Sequence, residues 1–185
     1  MIIRVSKSTI PIKIRWQYCN YYADVAVLLR TSLILNCLFS NEFLACTSRN
    51  EIIFNEKIIN NKKYKNGIGT SISLSIQHLD INILGVMIIP ADMPLISAED
   101  LMRLEKEFIA HNCEKVVLPK YKYTIGNPVI LPKSYFALLK NLKEDFGARS
   151  QIKENDIVKV DCDIGTVFDI DTSKALAKAN ILVKV

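Results

Sequence analysis

The spacing of apolar residues divides most of the chain into segments of helix and strand length. A run of seven uncharged residues over 83–89 predicts a strand that is buried on both faces. Apolar residues three or four positions apart, as at Ile72, Ile76 and Leu79, predict helices with one buried face. The predicted strands cover residues 42–47, 51–54, 83–89, 115–118, 128–131, 157–160 and 166–170, and residues 2–22 are expected to be extended. The predicted helices cover residues 24–39, 147–153 and 172–179, with three more beginning near Gly69, Ser97 and Ser134.

Helices that alternate with strands, without internal repeats, are typical of an α/β domain with three layers and a mostly parallel sheet. The 185 residues are enough to bury a substantial core, so residues 1–185 are expected to form a single domain. Half of the residues are hydrophobic and 23% are charged, which excludes an intrinsically disordered chain.

Charged and sulfur-containing residues exclude several other classes of protein. The net charge of +5 is scattered; it suits a polyanionic small molecule such as a nucleotide, although solvated lysines explain it equally well. No arginine-rich stripe is interleaved with aromatic residues, so nucleic acid is not an expected partner. The five cysteines form no C-x-x-C pair, so no structural zinc site is expected. The most hydrophobic segment, residues 25–39, is too short to span a bilayer, and we expect a cytoplasmic protein with reduced thiols and no membrane partner.

A single aspartate, Asp92, follows the predicted strand over residues 83–89. It lies between Pro90 and Pro94, neither of which can continue a β-ladder. Open α/β sheets bind their ligands outside the carboxyl ends of the strands, which makes Asp92 a candidate site residue. Aspartate is also common in turns, so a capped turn is an equally good interpretation of this residue alone.

Two glycine-containing segments are further candidates. Residues 67–71 (GIGTS) precede a predicted helix, where glycines allow close backbone approach and N–H groups can bind an anion or a base edge. An ordinary loop with an N-cap also explains this segment. Residues 126–128 (GNP) enter a predicted strand, where Asn127 could present its amide to a ligand. For this second segment a plain turn is the interpretation that the residues alone favour.

A third candidate segment, residues 169–172 (DIDT), joins a predicted strand to a predicted helix. Asp171 could be the N-cap of that helix, or it could point away from the sheet as a second carboxylate. Two carboxylates at the ends of adjacent strands suit Mg²⁺, which is often held by one or two carboxylates together with phosphate oxygens and water. Whether Asp92 and Asp171 converge stays open at this point.

The order and spacing of five segments resemble those of the molybdenum cofactor cytidylyltransferase family, within the wider MobA-like nucleotidyltransferases. The resemblance covers about residues 55–178. The matching segments are GIGTS (67–71), ADMPL (91–95), GNPV (126–129), D-x-G-A-R (145–149) and DIDT (169–172).

The resemblance implies a Rossmann-like, GT-A-like nucleotidyltransferase fold. It also implies transfer of CMP from CTP, or of GMP from GTP in the relatives, to the phosphate of molybdopterin, with release of pyrophosphate. Asp92 would be the catalytic residue and a Mg²⁺ ligand, with Asp171, or alternatively Asp169, as the second ligand. The residues implied to contact the nucleotide are Gly67, Gly69, Thr70 and Ser71. Those implied to lie on the acceptor side are Asn127, Pro128 and Arg149.

The beginning of the chain departs from this family. Family members begin with a strand and a loop resembling L-A-A-G-x-S-x-R-M-G-x-x-K, whose glycines wrap the triphosphate, but residues 1–66 contain no glycine. The chain therefore resembles a family member that starts late or has a replaced N-terminus over residues 1–54, and it lacks the first strand unless residues 10–14 substitute for it. Two hypotheses follow: an active Mg²⁺-dependent enzyme with altered phosphate contacts, or a catalytically silent nucleotide-binding module.

Overall fold

The computed structural model describes residues 2–5, 43–47, 57–79, 81–90, 92–93, 95–143 and 148–183. The predicted helix over residues 24–39 and the predicted strand over residues 51–54 lie outside these ranges, as does the proposed substitute strand over residues 10–14.

Eight strands are described, and they form one sheet. They are β1 Ile2–Val5, β2 Phe43–Thr47, β3 Lys57–Asn60, β4 Gly85–Ile88, β5 Val116–Tyr121, β6 Thr124–Ile125, β7 Val129–Pro132 and β8 Ile157–Asp161. Their order across the sheet is β3-β2-β1-β4-β7-β5-β6, and β8 pairs with β5. The predicted strands that correspond to β2, β4, β5, β7 and β8 are confirmed.

The α/β class with one sheet is confirmed, but most neighbouring strands pair antiparallel. Only β2 with β3 and β5 with β8 pair in parallel among the described strands. The reason lies in β7, which returns from β5 through a hairpin and inserts between β4 and β5, antiparallel to both. Strands β4 and β5 still run in the same direction, as a strand–helix–strand pattern requires, and β1 is likewise antiparallel to both of its neighbours. The expectation of a mostly parallel sheet is therefore wrong, because it assumed that strands joined through a helix would be direct neighbours in the sheet.

This topology brings four chain segments to one edge of the sheet. Strands β4, β5 and β8 end there, and the antiparallel strand β7 begins there, with Ile88 of β4 paired to Val129 of β7. The segment that contains Asp92 and the segment that contains Asn127 therefore leave neighbouring strands at the same edge. The pairing of β8 with β5 brings the segment after Asp161 to that edge as well.

Helices cover both faces of the sheet. They are α1 Ile68–Gln77, α2 Ala98–Ala110, α3 Phe136–Leu139 and α4 Ser173–Val183. Alternate strand residues point to opposite faces, so one apolar cluster joins the sheet to α2 and a second joins it to α1 and α3. The strand residues of the α2 cluster are Met87, Val117 and Ile130, and Ile89, directly after β4, joins them. Those of the other cluster include Val86, Ile88, Val116, Leu118, Val129 and Leu131.

Helix α2 begins after Ser97, as predicted, and Ser97 is its N-cap. Ser97 Oγ accepts a hydrogen bond from the N–H of Asp100 at 3.1 Å and donates one to Asp100 Oδ2 at 2.9 Å. Asp100 is completely buried, and its Oδ1 accepts from the N–H of Asp163 at 3.1 Å. The cap thus also ties α2 to the residues that follow β8.

Three predicted elements differ from the structure. The helix near Ser134 is a 3-10 turn over Lys133–Tyr135 followed by the single turn of α3, and a 3-10 helix over Ala148–Gln151 lies within the helix predicted over 147–153. The strand predicted over 166–170 is wrong, because the chain forms a 3-10 helix over Ile164–Val167. Gly165 packs so closely against the Leu95 carbonyl that a Cβ atom would overlap it, which favours a compact turn over an extended strand. Within the described ranges, no helix is long and apolar enough to cross a membrane.

Candidate functional site

Asp92 lies just beyond β4, and its Oδ1 atom is buried without a hydrogen-bond partner among the described residues. Burial raises the pKa of this carboxyl above its ordinary value, and the negative charges of Asp171 and Asp169 raise it further, against a lowering effect of a backbone hydrogen bond. A buried acceptor without a partner is uncommon in folded proteins and usually marks a ligand or a functional constraint. Asp171 is near enough to Asp92 for its charge to act on the Asp92 carboxyl.

A backbone hydrogen bond holds these carboxylates together. The N–H of Ile170 donates to the carbonyl oxygen of Asp92 at 2.9 Å, so Asp169 and Asp171 flank the bond on either side. Thr172 caps α4 by accepting from the N–H of Ala175 at 3.2 Å. The cap is thus made by Thr172 and not by Asp171. Asp171 and Asp169 are both exposed.

These carboxylates fit an open divalent-cation site rather than a closed one. No group of three or more His, Cys, Asp or Glu residues in the described part of the chain is close enough to hold a metal ion by itself. The charge of Asp171 nevertheless contributes to the raised pKa of Asp92. Mg²⁺ suits such an arrangement, because it keeps several waters and takes phosphate oxygens of a substrate as ligands. A cation beside Asp92 would also supply the partner that Oδ1 lacks.

The glycine-containing segment 67–71 forms the N-terminus of α1. Gly67 precedes the helix with a φ of 97°, a left-handed conformation that favours glycine. The Thr70 hydroxyl donates to the Gly67 carbonyl at 2.8 Å, which closes the first turn. No hydrogen bond joins this segment to Asp92 or Asn127 within the described ranges.

The buried side chain of Asn61 holds this segment in place. Its Nδ2 donates to Thr70 Oγ1 at 3.0 Å and to Ser71 Oγ at 2.8 Å, and its Oδ1 accepts from the N–H of Lys63 at 2.9 Å. Asn61 is not among the residues that the sequence analysis singled out. The only signal was its position directly after a strand and shortly before Gly67.

Asn127 and Arg149, which the family resemblance implies lie on the acceptor side, are in contact. Arg149 is exposed, and its Nη2 donates to Asn127 Oδ1 at 3.3 Å; partial desolvation of the guanidinium lowers its pKa. The backbone N–H of Asn127 donates to the Thr166 carbonyl at 2.7 Å. Pro128, which follows through a cis peptide bond, is buried at the start of β7.

Thr166 links this turn to the aspartate segment. Its side chain is completely buried, and Gly126 lies so close to its carbonyl that a Cβ atom would overlap it. The segment after β8 therefore contacts the Asn127 turn through Thr166 and the Asp92 segment through Ile170. This fixed link was also missed from the sequence, where residues 166–170 were predicted to form a strand.

Comparison with known proteins identifies the family to which the chain belongs. A family model for the MobA-like NTP transferase domain matches residues 25–159. Because the match spans well over half of the chain, the protein belongs to the MobA-like NTP transferase family. No curated protein sequence matches the chain.

Solved structures share the fold at low sequence identity. A homolog of Mycobacterium tuberculosis Rv0371c from Mycobacterium sp. strain JC1 superposes with a TM-score of 0.66 at 17% identity, over 90% of this chain and 88% of that chain. The Rv0371c complex with manganese from Mycobacterium tuberculosis H37Rv gives a TM-score of 0.63 at 12% identity, over 94% of this chain and 96% of that chain. The 2-C-methyl-D-erythritol 4-phosphate cytidylyltransferase from Thermus thermophilus gives a TM-score of 0.56 at 12% identity, over 87% of this chain and 89% of that chain. The Rossmann-like nucleotidyltransferase fold is thus confirmed, and the chain is nucleotidyltransferase-like.

Proposed function

We propose that this protein is a Mg²⁺-dependent nucleotidyltransferase that transfers CMP from CTP, or GMP from GTP, to the phosphate of a molybdopterin-type acceptor. The observation that carries the proposal is the buried, unpartnered Oδ1 of Asp92 beside the charges of Asp171 and Asp169. The negative charges of Asp171 and Asp169 oppose ionisation of the partly buried Asp92, so a cation bound beside Asp92 would stabilise its charged form. Membership of the MobA-like family makes a nucleoside triphosphate the natural source of phosphate oxygens for that cation.

Asp92 and Asp171 would hold the cation, with Asp169 as the alternative second ligand. When bound, Mg²⁺ neutralises charge on the phosphates of the nucleotide. The manganese complex of Rv0371c supports a divalent cation in a protein of this fold. Gly67, Gly69, Thr70 and Ser71 are proposed to contact the base or ribose.

Asn127 and Arg149 would bind the acceptor phosphate. Since the Arg149 guanidinium donates to Asn127 Oδ1, the Asn127 amide is oriented so that its NH₂ group and the remaining guanidinium donors are available to an anion. Pro128 fixes the turn from which Asn127 projects. An acceptor phosphate oxygen would form a bond to the α-phosphorus as the bond to the β-phosphate oxygen breaks, and pyrophosphate leaves. The side chains contribute positioning and charge balance, without a covalent enzyme intermediate.

A second candidate function is nucleotide binding without catalysis. The absence of glycine from residues 1–66 favours it, because glycine allows the backbone N–H groups of a loop to surround a triphosphate. Under this alternative the protein retains affinity for metal and nucleotide but does not turn over. Either activity would take place in the cytoplasm.

Measurement of pyrophosphate release from CTP and from GTP, with Mg²⁺ and a molybdopterin-type acceptor, separates the two candidates. The enzyme hypothesis expects Mg²⁺-dependent release that Asp92→Ala abolishes. Glu114→Ala, which removes an exposed carboxylate beyond the end of α2, serves as the control and should retain activity. A folded wild-type protein that binds nucleotide yet releases no pyrophosphate with any acceptor in a panel would contradict the enzyme hypothesis and support the binding module.

A further inference from the structure

The hydrogen bonds around Asn61 have a direction that the neighbouring groups determine. A backbone N–H can only donate, so the atom of Asn61 that faces the Lys63 N–H at 2.9 Å must be the oxygen. The amide nitrogen must then face Thr70 Oγ1 and Ser71 Oγ, and its two hydrogens are used at 3.0 and 2.8 Å. Asn61 is 97% buried, since only 3% of its surface is exposed, so water does not compete for these bonds.

The Thr70 and Ser71 hydroxyls, which accept these two hydrogen bonds, differ in whether their own protons have an acceptor. Thr70 uses its own proton inside the segment, toward the Gly67 carbonyl at 2.8 Å and the Lys63 carbonyl at 3.2 Å. For the proton of the Ser71 hydroxyl, the structure shows no acceptor among the described residues. Ser71 is only partly buried. The Ser71 hydroxyl therefore accepts from Asn61, and its own proton can be donated to another group.

From this polarity we infer that Asn61 is a positioning residue that fixes Ser71 as a hydrogen-bond donor to the bound nucleotide. The matching ligand atom is an acceptor, such as a ring nitrogen, a carbonyl oxygen or a ribose oxygen. The inference rests on the proposed function, which places Ser71 at the nucleotide. It adds that Asn61 acts through Ser71 and does not touch the nucleotide itself.

Asn61→Asp tests this inference because it keeps the shape of the side chain and removes both amide hydrogens. The carboxylate would turn the Ser71 proton inward and leave only lone pairs toward the ligand. Calorimetric titration with Mg²⁺ and whichever of CTP and GTP the wild type binds should show affinity lowered about tenfold for Asn61→Asp and for Ser71→Ala. Asn112→Asp makes the same chemical change at an exposed position after α2 and should bind like the wild type.

The double variant separates positioning from a merely structural effect. If Asn61 acts through Ser71, adding Asn61→Asp to Ser71→Ala should change affinity by less than about twofold. An equal loss with and without Ser71, or wild-type affinity for Asn61→Asp, would overturn the inference and leave the proposed function intact. A folded wild type that binds neither nucleotide would instead overturn the proposed function and this inference with it.

A measurement on the native side chain covers the outcome in which Asn61→Asp does not fold. In protein labelled with ¹⁵N-asparagine, the side-chain NH₂ signal of Asn61 should shift when Mg²⁺ and nucleotide are added. The same addition to Ser71→Ala should leave that signal in place. A signal that does not respond in the wild type, or that responds equally in Ser71→Ala, would contradict a role exerted through Ser71.

Discussion

The backbone N–H of Ile170 donates to the carbonyl oxygen of Asp92 at 2.9 Å. This bond joins the segment after β8 to the segment after β4, and it brings the carboxylates of Asp169 and Asp171 near Asp92. Because the bond is made by backbone atoms alone, it does not depend on the charge of any of the three side chains. Substitutions of the carboxylates should therefore change the electrostatics of the site while its backbone geometry is preserved.

Asp92→Asn should stabilise the protein in the absence of metal. The carboxylate is held in a partly buried position beside like charges, which raises its pKa, and the neutral amide avoids that cost. We expect the free energy of unfolding in urea, without divalent cations, to rise by about 1 kcal/mol. Glu114→Gln, an exposed carboxylate elsewhere, should change it by less than about 0.5 kcal/mol. A clear loss of stability would show instead that Asp92 serves as a structural turn residue.

Gly126→Ala should destabilise the protein because the added methyl group would overlap the Thr166 carbonyl. Relief of that overlap requires a shift of the backbone that carries the Asn127 and Thr166 contacts, so the cost should reach about 2 kcal/mol. Tyr123→Ala, at the fully exposed tip of the same hairpin, should cost less than about 0.5 kcal/mol. Thermal or urea unfolding measures both, and equal costs would mean that the Gly126 turn adapts freely.

Asp100→Asn should cost far more stability than a nearby exposed acid. Asp100 is completely buried and accepts from Ser97 Oγ and the Asp163 N–H, and it pairs with Arg103 at 3.2 Å. Replacing one oxygen with a donor leaves these groups imperfectly paired, at a cost of about 2 kcal/mol in urea unfolding. Asp163→Asn affects a 70%-exposed carboxylate 3.4 Å from Arg103 and should cost below about 1 kcal/mol. The reverse order would contradict the structural role of Asp100.

Tyr135→Phe should reveal a pH-dependent contribution to stability. The Tyr135 hydroxyl donates to Asp156 Oδ2 at 2.9 Å, and this bond, with Lys115 nearby, lowers the pKa of Asp156 in the folded protein. A group whose pKa is lowered by folding stabilises the protein above its unfolded pKa and loses that effect as the pH falls through its folded pKa. The wild type should exceed Tyr135→Phe in stability at neutral pH, and the difference should shrink by about pH 3.

Urea unfolding at both pH values measures this difference. The exposed Tyr123→Phe should show no such change. A difference between wild type and Tyr135→Phe that stays constant or widens toward acid would contradict the assigned role of Asp156.

Local patterns in the sequence predicted the elements that depend on residues close together in the chain. The period of Ile72 and Ile76 predicted the apolar face of α1, and α2 was correctly predicted to begin near Ser97. The insertion of β7 between β4 and β5 could not be predicted this way, since strand–helix–strand spacing fixes direction but not which strand becomes the neighbour.

The candidate site was predictable only where a residue type implied its chemistry. Asp92 stood out because a carboxylate follows a buried strand. Its contact with Ile170 depends on β5 pairing with β8, which is a long-range relation that local spacing does not contain. The only signal for Asn61 was its position shortly before Gly67, and the sequence alone does not distinguish a buried asparagine that orders a loop from an exposed one.

The central claim is that Asp92 belongs to a site for a metal-bound nucleotide, and binding of nucleotide with and without Mg²⁺ tests it most directly. Calorimetric titration of CTP and of GTP into the full chain should show one site that requires Mg²⁺. Asp92→Asn should weaken that binding at least about tenfold while the protein remains folded. Absence of binding by the folded wild type, or Mg²⁺-independent binding that Asp92→Asn leaves unchanged, would contradict the claim.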